Sequence, residues 1–173
     1  VTLEGFYGTA YVFVDCQAGS EAAYTLEVTC ASPGGDTCAD PYVINCGECV
    51  CDTTLGMNDD YSCMFIMFQG PDAVYELNVP QDQYITVRGE ADYNAQWGIG
   101  STCSANTGDI FCDDLDAYEA PSCTIIPNGQ ENLFINHTFL ATAGTYYIWV
   151  DGMWASDAGD YCLEVLCADG DTC

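Results

Sequence analysis

The chain has 173 residues, with 27 acidic side chains against a single basic one, Arg88, for a formal net charge of −26. Phosphate backbones and anionic lipid surfaces are held by clustered Lys and Arg, so nucleic acid and membrane surfaces are excluded as partners. Thirteen cysteines point instead to an extracellular or cell-surface setting where disulfides persist, and no apolar run approaches the roughly 20 residues of a membrane-spanning helix.

Residues 1–35 read as an incomplete unit. Residues 9–15 alternate, with Tyr11 and Phe13 on one face and Val12 and Val14 on the other. In residues 23–29 the side chains of Tyr24, Leu26 and Val28 share one face, and Thr25, Glu27 and Thr29 the other. Such a period of two marks half-buried strands. Gly19 and Ser20 supply the turn of a β-hairpin, which buries too little apolar surface to be stable alone. No charged-then-apolar leader opens the chain, so a secretion signal is expected upstream or already removed.

The same segment returns near the other end. Gly144–Asp151 repeats Gly8–Asp15 with five of eight positions identical, and Tyr161–Cys167 repeats Tyr24–Cys30. Both copies continue to Asp-Thr-Cys, at Asp36–Cys38 and Asp171–Cys173. A self-match at nearly constant offset is the signature of repeated units. The reading is a partial repeat over 1–35, the last two strands of a preceding or complemented domain, and a full domain over 36–173 that ends in the next junction.

Residues 31–41 have linker composition, flanked by Cys30 and Cys38, as Cys167 and Cys173 flank the matching junction. Short disulfide loops are expected there, and another between Cys103 and Cys112. An odd cysteine count implies a free thiol or a bond to another chain. Cys16, whose counterpart is Gly152, is the candidate.

Within the full unit, strands are expected at Tyr42–Asn45, Cys63–Phe68, Ala73–Val79, Tyr84–Gly89, Tyr93–Ile99, Cys123–Ile126, Leu133–Phe139, Thr145–Asp151 and Tyr161–Leu166. Turn residues separate them, and no stretch has the 3.6-residue period of a helix. The fold expected is all-β: a disulfide-rich antiparallel sandwich or jelly roll.

The acidic excess fits solubility, a saline or acidic medium, or divalent cations that neutralise paired carboxylates. The densest oxygen-ligand clusters are Asn58-Asp59-Asp60 and Asp113, Asp114 and Asp116, with Asp109 close by. Calcium takes six to eight such oxygens from turning backbone, while Asx-rich loops also simply make turns. Asp36 and Asp171, with Asp40 and Asp169, form a second candidate at the junctions. Cys46-Gly47-Glu48-Cys49-Val50-Cys51 has the look of a zinc knuckle, but disulfides are favoured in an oxidising setting.

His137 is the sole histidine and falls on the side of its strand shared by Leu133, Ile135 and Phe139, so packing rather than catalysis is expected. With no lysine and no second histidine, nucleophilic triads have nothing to build on. Asn136-His137-Thr138 is a glycosylation sequon. Met153 and Trp154 sit in a loop, where they either contact a neighbouring unit or a sugar or simply pack the loop.

In order, Asn58–Tyr61, Pro71–Leu77, Trp97-Gly98-Ile99 with Cys103, Phe111–Asp114, Gly144–Gly152 and Gly159–Val165 resemble the bacterial pre-peptidase C-terminal domain. The resemblance covers most of residues 36–167, and residues 1–30 match that domain's last two strands. It implies a non-catalytic β-sandwich appended to secreted enzymes and surface proteins, sometimes binding calcium. Two functions follow as expectations. One is a structural subunit of an extracellular filament, assembled head to tail with itself and stiffened by disulfides and calcium. The other is an accessory module that binds carbohydrate for a secreted enzyme.

Overall fold

The structure, a computed structural model, describes residues 34–63, 69–104, 106–107, 109–113, 121–123 and 133–169. They belong to the compact unit Pro33–Cys173. Residues 1–33, with the N-terminal repeat, Cys16 and Cys30, lie outside the described residues.

Eleven strands and no helix are found among the described residues. One sheet has the order β1-β4-β10-β6-β8, formed by Tyr42–Ile44, Ala73–Val79, Gly144–Gly152, Ala95–Gly100 and Phe111–Asp113. The second has the order β2-β11-β5-β9, formed by Cys49–Thr53, Asp160–Asp169, Gln83–Ala91 and Leu133–Ala141. A short parallel pair joins β3 (Ser62–Cys63) to β7 (Asn106–Thr107). The pairing is antiparallel within the large sheets except for β1, which runs parallel to β4. The disulfide-rich β-sandwich expected from the sequence is the fold, with that one parallel edge as a departure.

Alternation explains the layers. Tyr75, Leu77 and Val79 of β4 and Ala95, Trp97 and Ile99 of β6 point into the core from one sheet. Ile85 and Val87 of β5 and Tyr161, Leu163 and Val165 of β11 meet them from the other. Gly89 lets the Trp97 indole lie on β5, since a Cβ there would collide with the ring. Removing such large side chains from water stabilises by about 1.5–3 kcal/mol each. The hydroxyls of Tyr75 and Tyr161 join the sheets by a buried hydrogen bond of 2.8 Å, because each phenol needs a partner once buried.

The repeated strand pair corrects one expectation. β10 and β11 do not form a hairpin: β10 lies between β4 and β6 in one sheet, and β11 between β2 and β5 in the other. Alternating residues report a buried face without saying which sheet a strand enters, so sequence pattern could not separate the two cases.

The disulfides also differ from the short loops expected. Cys38 bonds Cys103 across 65 residues, and Cys46 bonds Cys167 across 121. The Cys30–Cys38, Cys103–Cys112 and Cys167–Cys173 pairings are therefore replaced for Cys38, Cys103 and Cys167. Loop-closure entropy grows only slowly with length, so the sheet that brings two sulfurs together decides. Cys51 and Cys162 face each other directly across β2 and β11 and are bonded. Cys49 bonds Cys123, and Cys112 is also in a disulfide. Cys173 lies outside the described residues.

Candidate metal centre

Two aspartates that pattern reading passed over meet inside one end of the sandwich. Asp72 stands just before β4 and is fully buried; Asp151, near the end of β10, is 5% exposed. The β10–β4 and β10–β6 ladders place them, since Val150 pairs with Ala73 and Asp151 with Gln96. A close backbone approach tightens this corner. The Gly70 N–H donates to the Gly152 carbonyl at 3.0 Å, and a Cβ on Gly70 would run into the Gly152 backbone.

The Asn58–Tyr61 loop wraps the buried pair. The Asp72 Oδ2 accepts the backbone N–H groups of Asp60 at 2.6 Å and Tyr61 at 2.8 Å. The Asp72 N–H in turn donates to the Asn58 carbonyl at 2.9 Å. Asp36, 3% exposed, holds the loop from behind, accepting the Asn58 N–H at 2.6 Å and its Nδ2 at 2.7 Å. The two side chains of the pair are in hydrogen-bonding reach of each other. Yet the Oδ1 atoms of both Asp72 and Asp151 are buried without a hydrogen-bond partner.

Unpartnered buried carboxylate oxygens are costly, so a proton or a cation must compensate them. Burial pushes the Asp72 carboxyl up to about 7 against the two N–H bonds that pull it down. Burial raises Asp151 further, and the neighbouring Asp72 charge adds to it. Two unit charges 4 Å apart repel by about 4 kcal/mol at an effective dielectric constant near 20. Asp59, exposed at the rim, adds a third negative charge that raises both. A divalent cation would neutralise the pair and take up the free oxygens, and carboxylate, carbonyl and water oxygens suit calcium. The residues present fit such an ion.

The candidates from sequence divide clearly. The Asn58-Asp59-Asp60 loop lies against this pair, with the Asp59 charge close enough to raise both carboxyls and the Asp60 N–H bonded to Asp72. Asp36 lies behind the same loop, its carboxylate accepting from Asn58, while Asp171, its expected junction partner, lies outside the described residues. Asp109 is satisfied locally, accepting the Ser101 N–H and Oγ–H at 2.7 Å each. Asp113 lies in β8, and its side chain, like Asp114, Asp116 and Asp171, lies outside the described residues. Asp72 and Asp151 were missed because neither sits in an acidic run. The available signal was the repeat itself, which keeps Asp15 at the position of Asp151.

The Cys51, Cys123 and Cys162 sulfurs lie within 4.8 Å of one another. All three are in disulfides, so they offer no thiolate to a metal. His137 is half-buried beside Phe111 at 4.2 Å and Phe139 at 6.1 Å between ring centroids, and burial lowers its pKa. Asn136 is exposed on the opposite face of β9. Trp154 is 58% exposed in a loop tied down by the Met153 N–H, which donates to the Asn94 carbonyl at 3.0 Å.

No protein-family model and no curated protein matches the chain. Among solved structures it is similar to the pre-peptidase C-terminal domain of collagenase from Bacillus anthracis. That likeness has 15% identity and a TM-score of 0.46, and covers 72% of this chain and 93% of the other. It is also similar to a cleaved adhesin domain of Lys-gingipain from Porphyromonas gingivalis, at 20% identity and a TM-score of 0.37, covering 70% and 74%.

Proposed function

We propose that the domain is a non-catalytic extracellular module, stapled by disulfides and locked by a calcium ion held at Asp72 and Asp151. The observation that carries this reading is the pair of buried Oδ1 atoms without partners. Calcium would supply only charge neutralisation and a bridge between β4, β10 and the Asn58–Tyr61 loop. Asp72 orients that loop through two N–H groups, and Asp151 fixes the end of β10 against it. Disulfides in the described region support an oxidising location outside the cytosol. The packing of His137 between aromatic rings supports a role other than catalysis.

Melting in calcium and in excess EDTA tests this. At a calcium concentration 100 times the dissociation constant, binding adds about 2.7 kcal/mol, or roughly 5–10 °C for a domain of this size. Identical melts would remove the calcium role.

The repeated strand pair favours a structural assembly, joined head to tail, as the wider role. Binding of carbohydrate through the exposed Trp154 is the alternative. Electron microscopy of concentrated protein distinguishes them: filaments support the first, and dispersed particles with glycan binding support the second.

A further inference from the structure

We propose that Cys49, Cys51, Cys123 and Cys162 form a thiol–disulfide exchange site on the outer face of the second sheet, opened by a small-molecule thiol. Two disulfides meet there. Cys49 bonds Cys123 and Cys51 bonds Cys162, yet the Cys51, Cys123 and Cys162 sulfurs all lie within 4.8 Å of one another. Strand geometry brings them together. Cys49 and Cys51 are two residues apart on β2, so their side chains leave the same face about 7 Å apart. The Cys123 N–H donates to the Cys49 Sγ at 3.1 Å. Its own Sγ stands 3.8 Å from the carbonyl of Val50, the residue between the two β2 cysteines. One sulfur is therefore bonded to the first and placed beside the second.

Burial sets the order of events. Both sulfurs of the Cys49–Cys123 bond belong to half-buried residues, whereas Cys162 is fully buried, so a thiol from solvent attacks the first bond. Its thiolate joins the Cys49 sulfur in a mixed disulfide and expels the Cys123 thiolate. Cys123 then attacks the Cys51 sulfur, forming Cys51–Cys123 and expelling Cys162. The proton lost by the incoming thiol ends on the Cys162 sulfur, and that thiol is the one outside reactant. An acceptor for the new S–H is in place. Glu90 stands opposite Cys162 in the β5–β11 ladder, on the same side of the sheet. Its buried Oε1 has no hydrogen-bond partner among the described residues. Glu164 holds the attacking segment, its Oε2 accepting the Ser122 N–H at 3.2 Å. The exchange unties β11 from β2 at Cys51, while Cys123 stays bonded to β2.

Two experiments test this. Cys49→Ser leaves Cys123 without its partner; the variant is refolded in a glutathione buffer and labelled with N-ethylmaleimide. Non-reduced peptide mapping should find two isomers, one labelled on Cys123 with Cys51–Cys162, the other labelled on Cys162 with Cys51–Cys123. Exchange conserves the number of bonds, so the second isomer should make up at least about a tenth of the chains. Label on Cys123 with Cys51–Cys162 as the single isomer overturns the proposal. The parent chain decides if the variant does not fold. Reduced glutathione is raised under native conditions until the Cys49–Cys123 bond opens. The expected product has Cys51–Cys123 bonded, Cys162 free, and glutathione or a free thiol on Cys49. Opening with Cys51–Cys162 retained, or loss of both bonds without Cys51–Cys123, overturns it. Neither readout involves the aspartate pair, so this site and the calcium reading fail separately.

Discussion

Asp72, at the foot of β4, and Asp151, near the end of β10, bring two carboxyl groups together in the protein interior, each with one oxygen left unbonded. No cationic side chain is available nearby to offset them, since Arg88 is the single basic residue and is paired with Glu164 at 3.8 Å on the other sheet. The pair is therefore a point where folding and pH are coupled and, on the function proposed above, where cation binding joins them.

Without calcium, stability should fall as pH rises. The folded-state pKa values of Asp72 and Asp151 are raised, while an unfolded aspartate titrates at about 3.9. The folded state thus binds more protons, and its advantage is full below about pH 4 and lost as pH rises through the raised values. Urea denaturation in EDTA should give a lower midpoint at pH 8 than at pH 5. Saturating calcium should flatten or reverse that slope.

Asp151→Asn should reverse its effect with calcium. In EDTA at pH 8 it removes a carboxyl that must take up a proton to be buried, so the variant should be more stable than the parent, by at least about 1 kcal/mol. In calcium it should be the less stable of the two. Paired denaturation curves check both signs.

Gly152→Ala should destabilise without touching a carboxylate. The added methyl meets the Asp157 carbonyl and the Gly70 Cα, and overpacking of this kind costs about 1–3 kcal/mol. Calcium affinity should fall as well, because the corner that aligns Asp151 is displaced.

Cys46→Ser with Cys167→Ser opens the longest described disulfide loop, a separation of 121 residues. The chain-entropy model gives a loss of about 4–5 kcal/mol for such a loop. Non-reduced peptide mapping of the parent should first show this bond together with Cys38–Cys103, Cys49–Cys123 and Cys51–Cys162.

Much of the sandwich was legible because its strands carry clean alternation. Ala73–Val79 was read with its observed limits, and Leu133–Phe139 and Thr145–Asp151 lie inside β9 and β10. β2 was missed because Cys49 and Cys51 give it the composition of a metal knuckle, whereas disulfides and the ladder to β11 hold it in place. β8 was hidden by the acidic residues that follow Phe111. The Cys123–Ile126 strand is not seen at Cys123, and the rest of that segment lies outside the described residues. At the candidate site the loop was visible as an Asx run, but its buried partners were single aspartates beside strands. Only tertiary packing brings Asp72 and Asp151 together, and no local pattern reports that.

Isothermal titration of calcium into the intact, metal-stripped protein at pH 7.5 tests the central reading most directly. Saturable binding is expected, weakened at least about tenfold in Asp72→Asn and in Asp151→Asn, since affinity follows the charge of the ligand set. No binding by the parent protein, or undiminished binding by both variants, would contradict it.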